Sequence, residues 1–198
     1  MSHAAVEPHN IIDAPATTIL VLLGSLRTGS VNRQLAELVA ESLPKDTEAR
    51  MFDRLGELPF YNEDLDVDEP TADSFAAVAQ LRHAVHTADV ILVITPEYNG
   101  SIPGVLKNAV DWLSRPYGNG AVIGKPTAVI GASQGEYGGS WAHDEARKVL
   151  GIAGASVIET VRMSVPIASL DGGHPRQHLA VSDQLRDAIA QLLGRASS

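Results

Sequence analysis

Hydrophobic residues gather along this chain in short runs, separated by stretches where they recur at helical spacing. Thr17–Leu23 reads Thr-Thr-Ile-Leu-Val-Leu-Leu and stops at Gly24. Apolar side chains at successive positions, with no polar alternation, suit a strand covered on both faces. Val90-Ile-Leu-Val-Ile94 is the clearest such run; Thr127–Gly131 is another, Glu48–Phe52 is weaker, and Ala155–Val161 is a further candidate. Leu35, Ala36, Leu38 and Val39 mark a helix over 32–43 that stops at Pro44. Phe75, Val78, Ala79, Leu81 and Val85 mark one over 75–88. Others are predicted over 103–114, with Pro103 in the first turn where its missing N–H costs nothing, over 140–150, and over 177–193 through Leu185, Ile189 and Leu192.

Strands that alternate with helices predict βαβ units, a parallel sheet and helices on both of its faces. Residues 1–16, ending in Asp13-Ala-Pro-Ala16, read as a flexible tail, and 17–198 as one domain. Leu58–Pro70 is a connection rich in proline and acidic residues. The loops after Leu23, Ile94 and Gly131 all leave carboxyl ends of strands, the edge where open α/β sheets bind ligands.

Composition narrows the chemistry. With no cysteine, the chain has no disulfide framework, thiolate metal site or cysteine nucleophile. Fifteen Lys and Arg against 24 Asp and Glu give a formal charge of −9, a poor match for nucleic acid or an anionic membrane. No run approaches the ~20 apolar residues of a membrane span. Residues 1–15 hold no apolar core of a leader peptide and carry Glu7 and Asp13, so a cytoplasmic protein is expected. An anionic ligand must then be held locally, by backbone amides and one or two arginines.

The first loop, Gly24-Ser-Leu-Arg-Thr-Gly-Ser-Val-Asn32, imitates the opening of a nucleotide-hydrolysing phosphate loop and then departs from it. Ser30 stands where lysine would neutralise the outer phosphates, and Val31 where a hydroxyl would hold Mg²⁺. What is left is a Gly- and Ser-rich turn opening a helix, with Ser25, Ser30 and Asn32 as side-chain donors and Arg27 as a charged fork. That suits a terminal phosphate that is bound and never transferred. The plainer reading is a helix cap at Ser30 or Asn32. The second loop packs two prolines and two glycines into Pro96-Glu-Tyr-Asn-Gly-Ser-Ile-Pro-Gly104, a rigid turn that exposes backbone groups to the edge of a flat heterocycle. The plainer reading here is a simple turn, with Lys107 and Asp111 as an exposed ion pair and Trp112 in the core or at an oligomer face.

Pro96-Glu-Tyr-Asn-Gly-Ser-Ile-Pro-Gly-Val-Leu-Lys-Asn-Ala-Val-Asp-Trp112 resembles the signature of the NADPH-dependent FMN reductases, the flavodoxin-like group that includes quinone, chromate and azo-dye reductases. Gly24-Ser-x-Arg-x-x-Ser-x-Asn32 is similar to that family's phosphate loop, and Gly131-Ala-Ser-x-Gly-x-x-Gly-Gly139 to its third flavin loop. The resemblance implies a doubly wound, five-stranded parallel sheet of flavodoxin type. It implies that Ser25, Arg27, Ser30, Val31 and Asn32 hold the FMN phosphate and that Pro96, Glu97, Tyr98 and Asn99 line the ring, largely through backbone. Ser133, Gln134, Gly135 and Gly138 would close its other side. It further implies NADPH or NADH as hydride donor, a small-molecule electron acceptor, alternating half-reactions, no catalytic side chain, and a homodimer or homotetramer. A flavin-binding electron carrier without turnover would use the same site.

One rival comes from the residues themselves. Gly131-Ala-Ser-Gln-Gly135 also fits G-x-S-x-G, the nucleophile elbow of serine hydrolases, with Asp171, His174 and His178 following in elbow order. It requires a helix to begin directly after Ser133, which Glu136-Tyr-Gly-Gly139 disfavours. His83 with His86, and His174 with His178, lack a third clustered metal ligand.

Overall fold

The computed structural model describes residues 17–66 and 73–196. The tail expected over 1–16 lies outside them. Six parallel strands build one sheet: β1 (Thr17–Leu23), β2 (Thr47–Phe52), β3 (Val90–Ile94), β4 (Pro126–Ser133), β5 (Ser156–Val157) and β6 (Met163–Pro166). They fill five positions in the order β2-β1-β3-β4-β5, because β5 pairs with the start of β4 and β6 with its end. The order 2-1-3-4-5 is the flavodoxin arrangement.

The fifth position is where sequence and structure diverge. The strand expected over Ala155–Val161 forms only at Ser156–Val157, and Met163–Pro166 completes the edge. Pairing of Gly131–Ser133 with Ser164–Pro166 also carries β4 two residues beyond its expected end at Gly131.

Five helices cover the sheet: α1 (Val31–Glu41), α2 (Asp73–Thr87), α3 (Gly104–Leu113), α4 (Ser140–Ile152) and α5 (Leu179–Leu193). Each central strand feeds both faces. Ile19, Val21 and Leu23 of β1 pack with Leu35, Leu38 and Val39 of α1 and with Leu185, Ile189 and Leu192 of α5. Leu20 and Leu22 pack with Val78, Leu81 and Val85 of α2, with Leu106 and Trp112 of α3, and with Ala146 and Leu150 of α4. Ala77, rather than the expected Ala79, completes the buried stripe of α2. Trp112 is wholly buried, which assigns it to the core. Its indole N–H and the Asn108 amide both donate to the Pro59 carbonyl, at 2.8 and 2.9 Å, so the second half of the long motif anchors the segment leading out of β2. Lys107 and Asp111 form the exposed pair, Nζ to Oδ1 2.7 Å.

Leu23 is level with Ile94, and Ile94 with Ile130. The three central strands therefore finish together and deliver their loops to one edge. Cations gather at the opposite edge, where helices α2 and α3 end. Lys125 donates to the carbonyls of His86 and Ala88, and Arg82 to that of Trp112. Cations at helix C-termini complement the dipole and the orphan carbonyls, so this basic cluster has a structural cause.

Candidate functional site

Seven residues carry the chain from Leu23 to Val31. The Gly24 N–H donates to the Ile94 carbonyl at 2.8 Å, pressing the loop onto β3. Ser30 is the N-cap of α1, its Oγ accepting from the Arg33 N–H at 3.1 Å. The cap leaves the hydroxyl hydrogen of Ser30 free to donate outward. Among the described residues, the backbone N–H groups of Ser25, Val31 and Asn32 have no hydrogen-bond partner, and neither does the Ser25 hydroxyl. Arg27 is exposed, makes no ion pair among the described residues, and folds back over Gly29. The positive end of α1 opens into this cluster of donors.

Asn32 behaves differently from the side-chain donor expected of it. Its Oδ1 accepts from the Ala132 N–H at 2.8 Å and its Nδ2 donates to the Ala132 carbonyl at 2.9 Å. The carboxamide thereby substitutes for a strand neighbour at the end of β4 and ties the first loop to the third. Its backbone N–H stays unpaired beside that of Val31 among the described residues. The carboxamide matches a peptide unit in both donor and acceptor, and Ala132 lies within its reach.

In the second loop Tyr98 and Ser101 exchange backbone hydrogen bonds at 2.9 and 3.1 Å around Asn99 and Gly100, whose φ values are 54° and 74°. Positive φ at both central residues is the type I′ turn that Asn-Gly favours. Pro96 is buried, Asn99 exposed and Tyr98 half exposed. Glu97 does more than line the turn. Its carboxylate accepts from the Ala142 N–H at 3.1 Å, at the first turn of α4, whose own N-cap is Gly139 and carries no side chain to do so. An acidic group therefore already occupies the positive end of α4, whereas that of α1 is unclaimed.

The third loop leaves β4 at Ser133, whose Oγ faces the Glu97 carbonyl at 3.4 Å. Gln134 and Gly135 are exposed; Gly138 is buried against β6. A Cβ on Gly138, where φ is 62°, would lie 2.6 Å from the Ser164 carbonyl carbon. Gly131 is the tightest position of the edge: a Cβ there would lie 2.0 Å from the Thr95 carbonyl oxygen, 2.8 Å from His143 Nε2 and 2.9 Å from Asn32 Oδ1. Tyr137 and Trp141 stand exposed beside the mouth with ring centroids 5.8 Å apart.

His143, on α4, is absent from the sequence-derived set although it is wholly buried at the centre of this edge. Its ring bridges the Thr95 carbonyl (Nε2, 3.0 Å) and the Ser164 hydroxyl (Nδ1, 2.7 Å). Burial pushes its pKa below the ordinary value of 6.5, with Arg147 adding to the shift and the Thr95 carbonyl, Glu97 and Asp144 opposing it. The signal in the sequence is helical spacing: Ala142, Ala146 and Leu150 turn inward on the same helix, and His143 lies three and seven residues before the last two.

The elbow arrangement does not assemble. α4 starts at Ser140 rather than directly after Ser133, and no hydrogen bond among the described residues joins Ser133 to a histidine. His174 caps the short 3₁₀ turn Pro175–Gln177 instead. No group of three or more metal-ligating side chains occurs among the described residues. An arginine beside free backbone donors at one helix start, next to two rigid turns, fits a flat ring with an anionic tail.

The sequence profile of the NADPH-dependent FMN reductases matches residues 17–169. A quinone reductase of Pseudomonas putida is 41% identical over 133 residues, 67% of this chain and 69% of that protein. An NAD(P)H-dependent FMN reductase of Pseudomonas aeruginosa is 35% identical over 176 residues, 88% of this chain and 90% of that protein. Among solved structures, the flavoenzyme NAD(P)H:(acceptor) oxidoreductase FerB from Paracoccus denitrificans aligns with a TM-score of 0.74 at 31% identity, covering 89% of this chain and 95% of that one. The chain belongs to the NADPH-dependent FMN reductase family. It is an oxidoreductase with the flavodoxin-like fold of that family.

Proposed function

We propose that this protein is an NAD(P)H-dependent FMN reductase acting on quinones and comparable small acceptors. The observation that carries the reading is the set of donors at the start of α1 that have no partner among the described residues, namely the backbone N–H groups of Ser25, Val31 and Asn32 with the Ser25 hydroxyl, beside an Arg27 that makes no ion pair among them. Those groups, with the Ser30 hydroxyl, would grip the FMN phosphate. The backbone of Pro96–Asn99 and the third loop from Ser133 to Gly138 would border the ring. Bound there, the flavin would supply the two-electron chemistry, taking hydride from NADPH or NADH and delivering it to a quinone, free flavin, azo compound or metal oxyanion in separate half-reactions. The chain's own task is to bind, orient and leave one ring face open, and no side chain needs to act as acid or base.

Purified protein is expected to bind FMN and to oxidise NADPH in steady state with a quinone present. FMN binding without NADPH oxidation would indicate a carrier, and no binding would refute the reading. Arg27→Ala should weaken FMN binding by about 1.5–3 kcal/mol, the scale of a hydrogen bond to a charged group. An unchanged Kd by calorimetric titration would refute the phosphate assignment.

No helix among the described residues is long and apolar enough to cross a membrane. We propose that the chain assembles with further copies of itself, as a homodimer or homotetramer. Light scattering should give at least the dimer mass, and a monomer would refute this.

A further inference from the structure

His143 is the only wholly buried histidine among the described residues, and both ring nitrogens have partners: a carbonyl, which only accepts, at Nε2, and a hydroxyl, which can donate or accept, at Nδ1. The Thr95 carbonyl can only accept, so Nε2, 3.0 Å away, carries the hydrogen. Nδ1 is then the acceptor for the Ser164 hydroxyl at 2.7 Å. Thr95 follows Ile94, the last residue of β3, and precedes the Pro96 turn. Its N–H donates to the Ile130 carbonyl at 3.0 Å and its Oγ1 to the Pro96 carbonyl at 3.1 Å. Its own carbonyl lies beyond the end of the β3–β4 ladder, which closes at Ile94 and Ile130, and among the described residues the imidazole is its hydrogen-bond donor. The ring reaches it through the space left by the missing side chain of Gly131.

We infer that His143 is a positioning residue for the flavin-facing turn: Nε2–H fixes the Thr95 carbonyl and hence the direction in which Pro96–Gly100 leaves the sheet, while Nδ1 locks Ser164 of β6 beneath the third loop. This rests on the FMN reading above. Two sides of the ring site are thereby held from one buried side chain that never touches the ring. Burial of the imidazole disfavours its charged form, and in the neutral ring the Thr95 carbonyl selects the Nε2–H tautomer.

The test separates tautomer from flavin. Long-range proton–nitrogen NMR of the flavin-free, histidine-labelled protein should show the neutral His143 ring with its hydrogen on Nε2, titrating below the ordinary 6.5. A hydrogen on Nδ1, or a ring that titrates above 6.5, would overturn the inference. With FMN, His143→Leu should raise Kd about tenfold, the effect of one lost buried hydrogen bond, and shift the flavin midpoint potential. His143→Gln, which keeps an N–H donor, should restore both to near the starting values. Ser164→Ala, which removes only the Nδ1 partner, should produce an intermediate change. Unchanged Kd and potential in a folded His143→Leu protein would overturn the inference, as would an unfolded His143→Leu together with a silent Ser164→Ala. Wild-type protein that binds no FMN but shows the Nε2–H tautomer would instead sink the flavin reading itself.

Discussion

Replacing Asn32 with alanine removes one side chain and two hydrogen bonds, at 2.8 and 2.9 Å, both to Ala132 and both buried. Asn32 is 2% exposed, and Ala132 is wholly buried, so the Ala132 N–H and carbonyl lose their partners in a place water does not readily reach. Each hydrogen bond contributes about 1 kcal/mol net, and a buried group left unpaired costs about 1–3 kcal/mol. One of the two orphans faces the small void the truncation opens and can recruit water there. The combined loss should then be about 2–4 kcal/mol. Urea unfolding of a domain this size has a slope of about 2–3 kcal/mol/M, so the midpoint should fall by about 1–2 M with the slope unchanged. The measurement belongs on flavin-free protein, since a ligand that binds only the native state would add its own stabilisation. Asn32→Asp is the informative companion. It keeps an acceptor for the Ala132 N–H but sets a second acceptor against the Ala132 carbonyl, and should also be destabilised. A midpoint shift below about 0.3 M for Asn32→Ala would refute the two-bond clamp and return Asn32 to the role of a phosphate donor.

Glu97→Gln tests the cap on α4: losing carboxylate charge beside the helix N-terminus should destabilise by about 0.5–1 kcal/mol at low salt, and the difference should shrink at high salt. Equal losses at both salt levels would argue against a dipole contribution. His143 gives a pH dependence of defined sign. Its pKa is lower in the folded state than the ordinary 6.5, so between those two values the unfolded chain binds more protons. Its contribution is fully present above about 6.5 and is lost as pH falls toward the folded value. Thermal melts of the flavin-free protein should show a decline beginning near pH 6.5 that is flattened in His143→Gln; parallel curves for the two proteins would refute it. Glu97 and Asp144 raise and Arg147 lowers the pKa of the same ring, so their charges set how far down in pH the decline extends.

Much of this architecture could be read from local pattern. Val90–Ile94 is wholly apolar because α-helices cover it on both sides, so its sequence carries its burial directly. Ser30 announces a helix start by its chemistry alone, and the cap is there. What stayed hidden depends on partners far along the chain. Nothing near Asn32 says that its carboxamide will meet Ala132, and nothing near Glu97 points to Ala142. His143 precedes Asp144 and Glu145, and a polar neighbourhood in sequence masks a side chain that helical rotation turns inward. The edge of the sheet departs from its local pattern for a related reason. Ala155–Val161 has strand-like composition, but Ile158 and Val161 turn into the core beside α5, and pairing resumes only at Met163.

The Asn32–Ala132 clamp joins positions one hundred residues apart, which has a consequence for the protein during its birth. At a synthesis rate of about 5–20 residues per second, the glycine-rich turn leaves the ribosome about 5–20 s before the strand it must grasp. Through that interval the nascent chain displays the amides but not the cleft, so cofactor capture by a half-made polypeptide should fail. On the proposed FMN site, loading with flavin would therefore be a late event in biogenesis, and a chain stalled before residue 132 should gain no protection from added FMN.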